Sequence, residues 1–304
     1  VGRRERTGDL WNTLYDYDGE VSNLWLRSSF DPKKRRNMDF GMNYEWSFKN
    51  DRGKLQFNGN QSLGFEDISG FYVETYYTPD TLLNSQDSLQ QRMFNIETNN
   101  INTLQLDLEY IFPKINSRVE AGAKSIIRDQ SVQTDSETFD LSASGYVEDT
   151  LANFDYLYNE RIYSVYGIFG QQVEKFKYQL GLRAEQANQI PDLVSDSVSV
   201  PNRYFNLFPS AHLKYALNDM NEFGLSYSRR ISRARANQLN PFTNYSDPFN
   251  LRRGNPYLQP EYIHSFDLAH TYERKTLSLS TSIYYRRSEG VISRVKEFYE
   301  DNTS

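Results

Sequence analysis

Six arginines gather in the last third of the chain: Arg229, Arg230, Arg233 and Arg235, then Arg252 and Arg253. A guanidinium offers a planar fork of donors that matches a carboxylate or a phosphate, so this concentration can receive an anion. Tyr245 and Tyr257 flank the second pair and offer faces on which a sugar or a ring could stack. The candidate ligand-binding residues are therefore Arg252, Arg253, Tyr245 and Tyr257. The competing reading is structural, because surface arginines commonly pack on walls, neighbouring acids or anionic headgroups. Aromatic residues are also so frequent, 23 Tyr and 19 Phe, that no single one marks a site.

Other chemistry is thinly represented. The histidines are His212, His264 and His270, with no nucleophile elbow, no His-Glu-x-x-His and no glycine-rich phosphate loop around them. No catalytic residue is assigned, and an enzyme is not expected. Acidic stretches at Asp80 to Asp87 and Asp192 to Asp196 could supply oxygen ligands to calcium, but they lack EF-hand spacing and read as solvated loops. There is no cysteine, which removes disulfides and thiolate metal sites. No metal and no cofactor are expected. The formal charge of -6 argues against nucleic acid as a partner, and Lys33-Lys34-Arg35-Arg36 reads as a loop end near phosphate headgroups.

The elements that position these residues are strands. Met38, Phe40, Met42, Tyr44, Trp46 and Phe48 alternate with Asp39, Gly41, Asn43, Glu45 and Ser47. The same period of two runs through Leu104 to Phe112, Tyr178 to Ala184, Ala211 to Leu217 and Leu277 to Tyr285. Weaker alternation lies near 55 to 62, 117 to 127, 160 to 173, 221 to 230 and 264 to 272. Mean hydropathy is -0.74 and no apolar run approaches the roughly 18 residues that a transmembrane helix needs. A soluble β-sandwich also alternates, and the connections separate the two readings.

Short turn signals at Asn50 to Gly53, Pro113 to Asn116, Glu174 to Lys175, Asn218 to Asn221 and Glu273 to Lys275 alternate with long polar stretches. Those stretches cover about residues 63 to 100, 129 to 159, 188 to 203 and 231 to 263. Tight turns on one side and long loops on the other are the habit of an outer-membrane barrel. The expected fold is all-β, an antiparallel up-and-down transmembrane β-barrel with about ten strands in five hairpins. Aromatics near strand ends, such as Trp46 and Phe48 or Tyr110 and Phe112, suit a girdle at the lipid boundary. Residues 1 to 37 and 288 to 304 read as outside-loop material, and Asp301-Asn302-Thr303-Ser304 do not make a closing strand, so both ends are expected to be trimmed. In the long loop, proline in Asn240-Pro241-Phe242 and glycine in Gly254-Asn255-Pro256 should fix one shape.

Residues 205 to 295 add a family likeness. They contain Asn206-Leu207-Phe208-Pro209-Ser210, Leu225-Ser226-Tyr227-Ser228-Arg229-Arg230-Ile231-Ser232-Arg233, Leu239-Asn240-Pro241-Phe242, Tyr245-Ser246-Asp247-Pro248 and Gly254-Asn255-Pro256-Tyr257-Leu258-Gln259-Pro260-Glu261. This stretch resembles the barrel of TonB-dependent receptors, especially the outer-membrane β-barrel family of Bacteroidetes. Arg35-Arg36-Asn37 and Gly181-Leu182-Arg183-Ala184-Glu185 extend the likeness upstream. Ala234 departs from it, since the family usually has proline there, which bears on the local turn.

The resemblance implies a barrel of about 22 strands with a plug and a periplasmic TonB box. Residues 1–304 would then be part of one barrel domain, without the plug and the closing C-terminal strands. Implied partners are outer-membrane lipid, the rest of the barrel and its plug, TonB through the plug region, and a small-molecule, peptide or glycan ligand. The implied function is TonB-dependent uptake of an unidentified nutrient across the bacterial outer membrane. The alternatives are a non-transporting binding or secretion-assembly barrel and a small barrel hydrolase.

Overall fold

The computed structural model describes residues 2–15, 18–77, 88–150, 152–194, 198–244 and 251–297. Thirteen strands occur among them: β1 (Gly2–Tyr15), β2 (Val21–Ser47), β3 (Gly53–Tyr77), β4 (Leu89–Phe112), β5 (Ser117–Asp140), β6 (Gly145–Glu148) and β7 (Phe154–Val173) come first. They are followed by β8 (Phe176–Leu193), β9 (Val198–Ser199), β10 (Asn202–Asn218), β11 (Asn221–Ser232), β12 (Glu261–Arg274) and β13 (Leu277–Glu289). The one α-helical turn among the described residues is α1 (Ala236–Leu239). Neighbours in the sheet are consecutive, in the order β1-β2-β3-β4-β5-β7-β8-β10-β11-β12-β13, with β6 added to β5 and β9 to β8. Among the described strands the sheet has two edges, β1 and β13, and is not closed.

Register carries the membrane signature across the strands. One cross-strand row reads Tyr44, Phe57, Leu106, Ala123, Val165, Ala184, Leu207, apolar on each of β2, β3, β4, β5, β7, β8 and β10. The next row, one residue along, reads Asn43, Asn58, Gln105, Lys124, Ser164, Glu185, Asn206 and is polar throughout. A slip of one residue on any strand would put a polar group into hydrocarbon, so the pattern specifies the pairing. The apolar row is the lipid face and the polar row the lumen face.

The tight turns lie where the sequence places them. Asn50, Asn116 and Glu174 take positive φ values of 62°, 46° and 51°, the left-handed conformation that a short reversal requires. Aromatics collect at this end: Trp46 and Phe48 are 5.8 Å apart, Phe48 and Tyr110 6.4 Å, Tyr110 and Phe112 4.7 Å, and Phe176 and Tyr215 4.7 Å. This is the expected girdle.

Two expectations change. Residues 2–15 and 21–37 are not loop but strand, pairing from Gly2 opposite Arg35 to Tyr15 opposite Val21. The ordered strand path has eleven members, in keeping with the expected count of about ten, with β1 the added one. Most of 63 to 100, 129 to 159 and 188 to 203 is also strand, since β3 runs to Tyr77, β4 starts at Leu89, β5 reaches Asp140 and β8 reaches Leu193. A tilted strand crosses hydrocarbon with about 9–11 residues. The strands β2 to β5 have 27, 25, 24 and 24, so more than half of each rises above the lipid. Up there neither face meets hydrocarbon, apolar alternation is no longer required, and the sequence looks like loop.

Polar chains hold the tall wall together. Arg27 forms a buried ion pair with Glu74 and reaches Gln91 Oε1 at 3.4 Å; Gln91 Nε2 continues to Ser136 Oγ at 3.2 Å. Tyr76 donates to the second Glu74 oxygen at 2.8 Å. One network thereby ties β2, β3, β4 and β5 above the belt. The segments Asp80 to Asp87 and Asp301 to Ser304 lie outside the described residues.

Candidate functional site

The connection from β11 to β12 does not stand away from the wall. Its described parts, 233–244 and 251–260, fold onto the lumen side of β7, β8 and β10. Even-numbered residues of β7 face inward, and above the belt two of them are tyrosines, Tyr156 and Tyr158, each only 1 % exposed. Ala234, Ala236 and Leu239 of the connection close over them, with Phe154, Leu258 and Ile292 packed around the cluster. Tyr156 donates to the Ala236 carbonyl at 3.0 Å. Burial pushes both phenols above the ordinary tyrosine value, so each acts as a neutral hydroxyl.

A polar network sits beside this cluster. Gln189 Nε2 donates to Tyr158 Oη at 2.6 Å, to Glu160 Oε1 at 2.9 Å and to the Ala234 carbonyl at 3.4 Å; its own oxygen accepts from Tyr204 at 3.0 Å. Glu160 pairs with Arg128 at 2.9 Å. Glu185 pairs with Arg233, brought by the connection, and lies 3.8 Å from Arg183. Arg233 also donates to Tyr204 Oη at 2.9 Å. Two buried carboxylates are thus met by three guanidiniums, as burial of charge requires.

The sequence motifs of the loop clasp one another. Gly254 N–H donates to the Asn240 carbonyl and Asn255 N–H to the Gln238 carbonyl, both at 2.7 Å. Phe242 stacks on Phe154 with ring centroids 3.7 Å apart, and Asn202 holds the Pro256 carbonyl at 3.0 Å. Ala234, where the resemblance expects proline, is buried at 4 % exposure against the wall.

The six arginines separate. Arg233 is spent on Glu185. Arg229 donates to the Leu207 carbonyl at 2.8 Å and lies over Tyr262 at 4.6 Å, while the Arg235 backbone N–H is held by Gln238 at 2.9 Å. Arg252 and Arg253 remain exposed, the former in a bridge with Asn244, and Tyr257 is 68 % exposed. Tyr245 lies outside the described residues. The structure therefore puts Arg252, Arg253 and Tyr257 on one clasped loop at the non-periplasmic end. His264 pairs with Tyr227 at 3.0 Å and His270 with Asn221 at 2.9 Å. No group of three or more metal-ligating side chains occurs among the described residues.

Sequence reading missed Tyr158, Glu160, Glu185 and Gln189, which seat the loop. The available signal was parity: Glu160 and Glu185 share the inward face of adjacent strands, where a buried acid needs a cation from elsewhere.

Among solved structures, the chain aligns over 94 % of its length with 49 % of the ferric citrate transporter FecA in the unliganded form, at 10 % identity and a TM-score of 0.49. It aligns over 93 % with 49 % of the copper transporter OprC, at 11 % identity and a TM-score of 0.46. For the ferric yersiniabactin uptake receptor FyuA from Yersinia pestis the values are 94 %, 49 %, 10 % and 0.43. The chain spans about half the length of these structures. No curated protein matches it. The fold rests on strand order and register, and the sequence pattern of one family matches residues 46–304. The chain belongs to the outer membrane protein beta-barrel family.

Proposed function

We propose that this chain forms part of the wall and mouth of an outer-membrane importer, working by TonB-dependent uptake of an anionic nutrient. The resemblance of residues 205–295 points the same way, and with it to a Bacteroidetes lineage. The observation that carries the reading is the clasped loop. A passive wall needs no extracellular segment fixed to its lumen side, whereas a receptor needs side chains held at fixed places over the entrance. Arg252 and Arg253 are the proposed anion contacts, with Tyr257 and Tyr245 beside them. The remaining strands and a plug would come from the rest of the protein.

The test uses the full-length gene. Strains with and without it are fed labelled metal chelates, peptides and glycans. Accumulation that depends on the gene and on TonB supports import. Equal accumulation in both strains, with one compound bound at the surface, refutes it in favour of a non-transporting receptor. Within an importing strain, Arg252→Ala with Arg253→Ala should lower uptake of an anionic ligand severalfold at normal surface level. Unchanged uptake removes these two residues from the site.

A further inference from the structure

The lipid face carries a recess. Ala123 and Ser125 on β5 and Ala184 on β8 are small, and they lie among Leu104, Tyr163 and Phe205, leaving a depression of about 490 Å³. All six belong to the outward rows. Inside a bilayer such a hollow is filled by hydrocarbon, because its outward walls are mostly apolar: the Gln186 amide that also lines it is turned to the Ala187 carbonyl and Asn188 Oδ1, which leaves the Ser125 hydroxyl.

The row immediately above it has a different chemistry. Two residues further toward the extracellular end, and hence on the same face, Arg161 pairs with Asn188 and Asn188 with Arg203. Strands lie about 4.8 Å apart, so the two arginine backbones are about 10 Å apart with a carboxamide between them. Arg161 is fixed in place, donating to the carbonyls of Arg128 and Glu160 at 3.0 and 3.1 Å and to Asp129 at 2.7 Å. Five guanidinium N–H groups exceed those three bonds. Asn188 Oδ1 accepts from Gln186 at 3.4 Å, which leaves its N–H₂ group as donor. Asp129 offsets Arg161, so the net positive charge of the row is that of Arg203.

We propose that the outer face of β5 to β10 binds one net anionic, phosphate-bearing lipid of the outer leaflet, its acyl chain in the recess and its phosphate on the Arg161–Asn188–Arg203 row. The order of the parts selects this occupant: an apolar hollow toward the membrane centre and a charged donor row at the water boundary match a lipid in both chemistry and orientation. The site faces away from the lumen, so it stands or falls separately from the transport reading.

The test reconstitutes the full-length protein in nanodiscs of phosphatidylcholine with graded phosphatidylglycerol, and counts retained lipid after detergent washing by native mass spectrometry. One phosphatidylglycerol should stay bound where phosphatidylcholine does not. Arg203→Gln should weaken retention about fivefold, since one cation beside an anionic headgroup contributes about 1 kcal/mol. Ala184→Phe, which fills the hollow and leaves the charges, should weaken it too. Leu268→Phe, elsewhere on the lipid face, should not. Equal retention of both lipids by the unmodified protein overturns the proposal without any variant. So does a loss on Ala184→Phe unaccompanied by one on Arg203→Gln.

Discussion

Replacing Gly254 by alanine tests whether the clasp gives the β11–β12 connection its shape. An added methyl would lie 2.3 Å from the Gln238 carbonyl oxygen, 2.6 Å from its carbon and 2.7 Å from the Asn240 carbonyl oxygen. Carbon and oxygen rest at about 3.3 Å, so the segment must move by about 1 Å. That displacement stretches the two 2.7 Å clasp bonds, Gly254 to Asn240 and Asn255 to Gln238, past the limit of about 3.2 Å. Two bonds at about 1 kcal/mol each are lost, and reduced freedom of the unfolded chain returns about 0.4–1 kcal/mol. The loop should therefore open more easily by about 1–1.5 kcal/mol, a factor of about five to ten. Hydrogen exchange with mass spectrometry on the full-length protein reads this directly, as faster exchange confined to the peptides spanning 236–258. Gly167→Ala serves as the control, because a methyl there meets nothing within 4 Å. If the two variants exchange alike, close approach of backbone to backbone is not what sets the loop.

Three further outcomes follow from other parts of the structure. Gln189→Leu leaves the buried Tyr158 hydroxyl and Glu160 carboxylate each short of a donor, a cost of about 1–3 kcal/mol, and should raise protease nicking of the 233–260 connection about tenfold. Leu106→Arg puts a cation in the lipid row and should cost about 2–4 kcal/mol in denaturant titrations of vesicle-inserted protein, while the lumen-facing Gln105→Arg stays within about 0.5 kcal/mol. At the tip beyond β5, the Ser142 hydroxyl and the backbone N–H groups of Ala143 and Ser142 hold the exposed Asp140 carboxyl below its ordinary value. A depressed carboxyl stabilises above its unfolded value and loses that contribution as pH falls through the folded one. Protection of the Ser142 and Ala143 amides should therefore hold at neutral pH and vanish below the usual carboxylate range, and Asp140→Ala should abolish it at every pH.

What the sequence made legible was the part of each strand that touches lipid. Met38 to Phe48 and Leu104 to Phe112 alternate because hydrocarbon on one side and water on the other impose it. The upper halves carry no such demand. Arg3, Arg4, Glu5 and Arg6 form strand by pairing with Lys34, Lys33, Pro32 and Asp31, a fact about residues nearly thirty positions away that local pattern cannot contain. The loop motifs were legible for a related reason: glycine and proline announce a constrained backbone wherever they stand. Its docking was not. Arg233 was one of six similar arginines, and only its meeting with Glu185 on β8 distinguishes it from Arg252 and Arg253.

The way the connection is seated explains why cover and charge arrive together. Glu160 and Glu185 are 3 % and 6 % exposed, which no carboxylate tolerates without close cations. Arg128 and Arg183 are supplied by the wall, but Arg233 comes with the loop that does the covering. Were Ala234, Ala236 and Leu239 to close over the tyrosines without Arg233, Glu185 would lose its nearest cation as it lost water, a penalty of order a few kcal/mol. Were Arg233 to approach without the apolar residues, the faces of Tyr156 and Tyr158 would stay wet and the pair would be screened to little value. Each half makes the other favourable, so the segment has one good seat rather than a range of poor ones. Because Gly254 and Asn255 are bonded back to the Gln238–Asn240 stretch of that seat, the positions of Arg252, Arg253 and Tyr257 are set from the lumen wall.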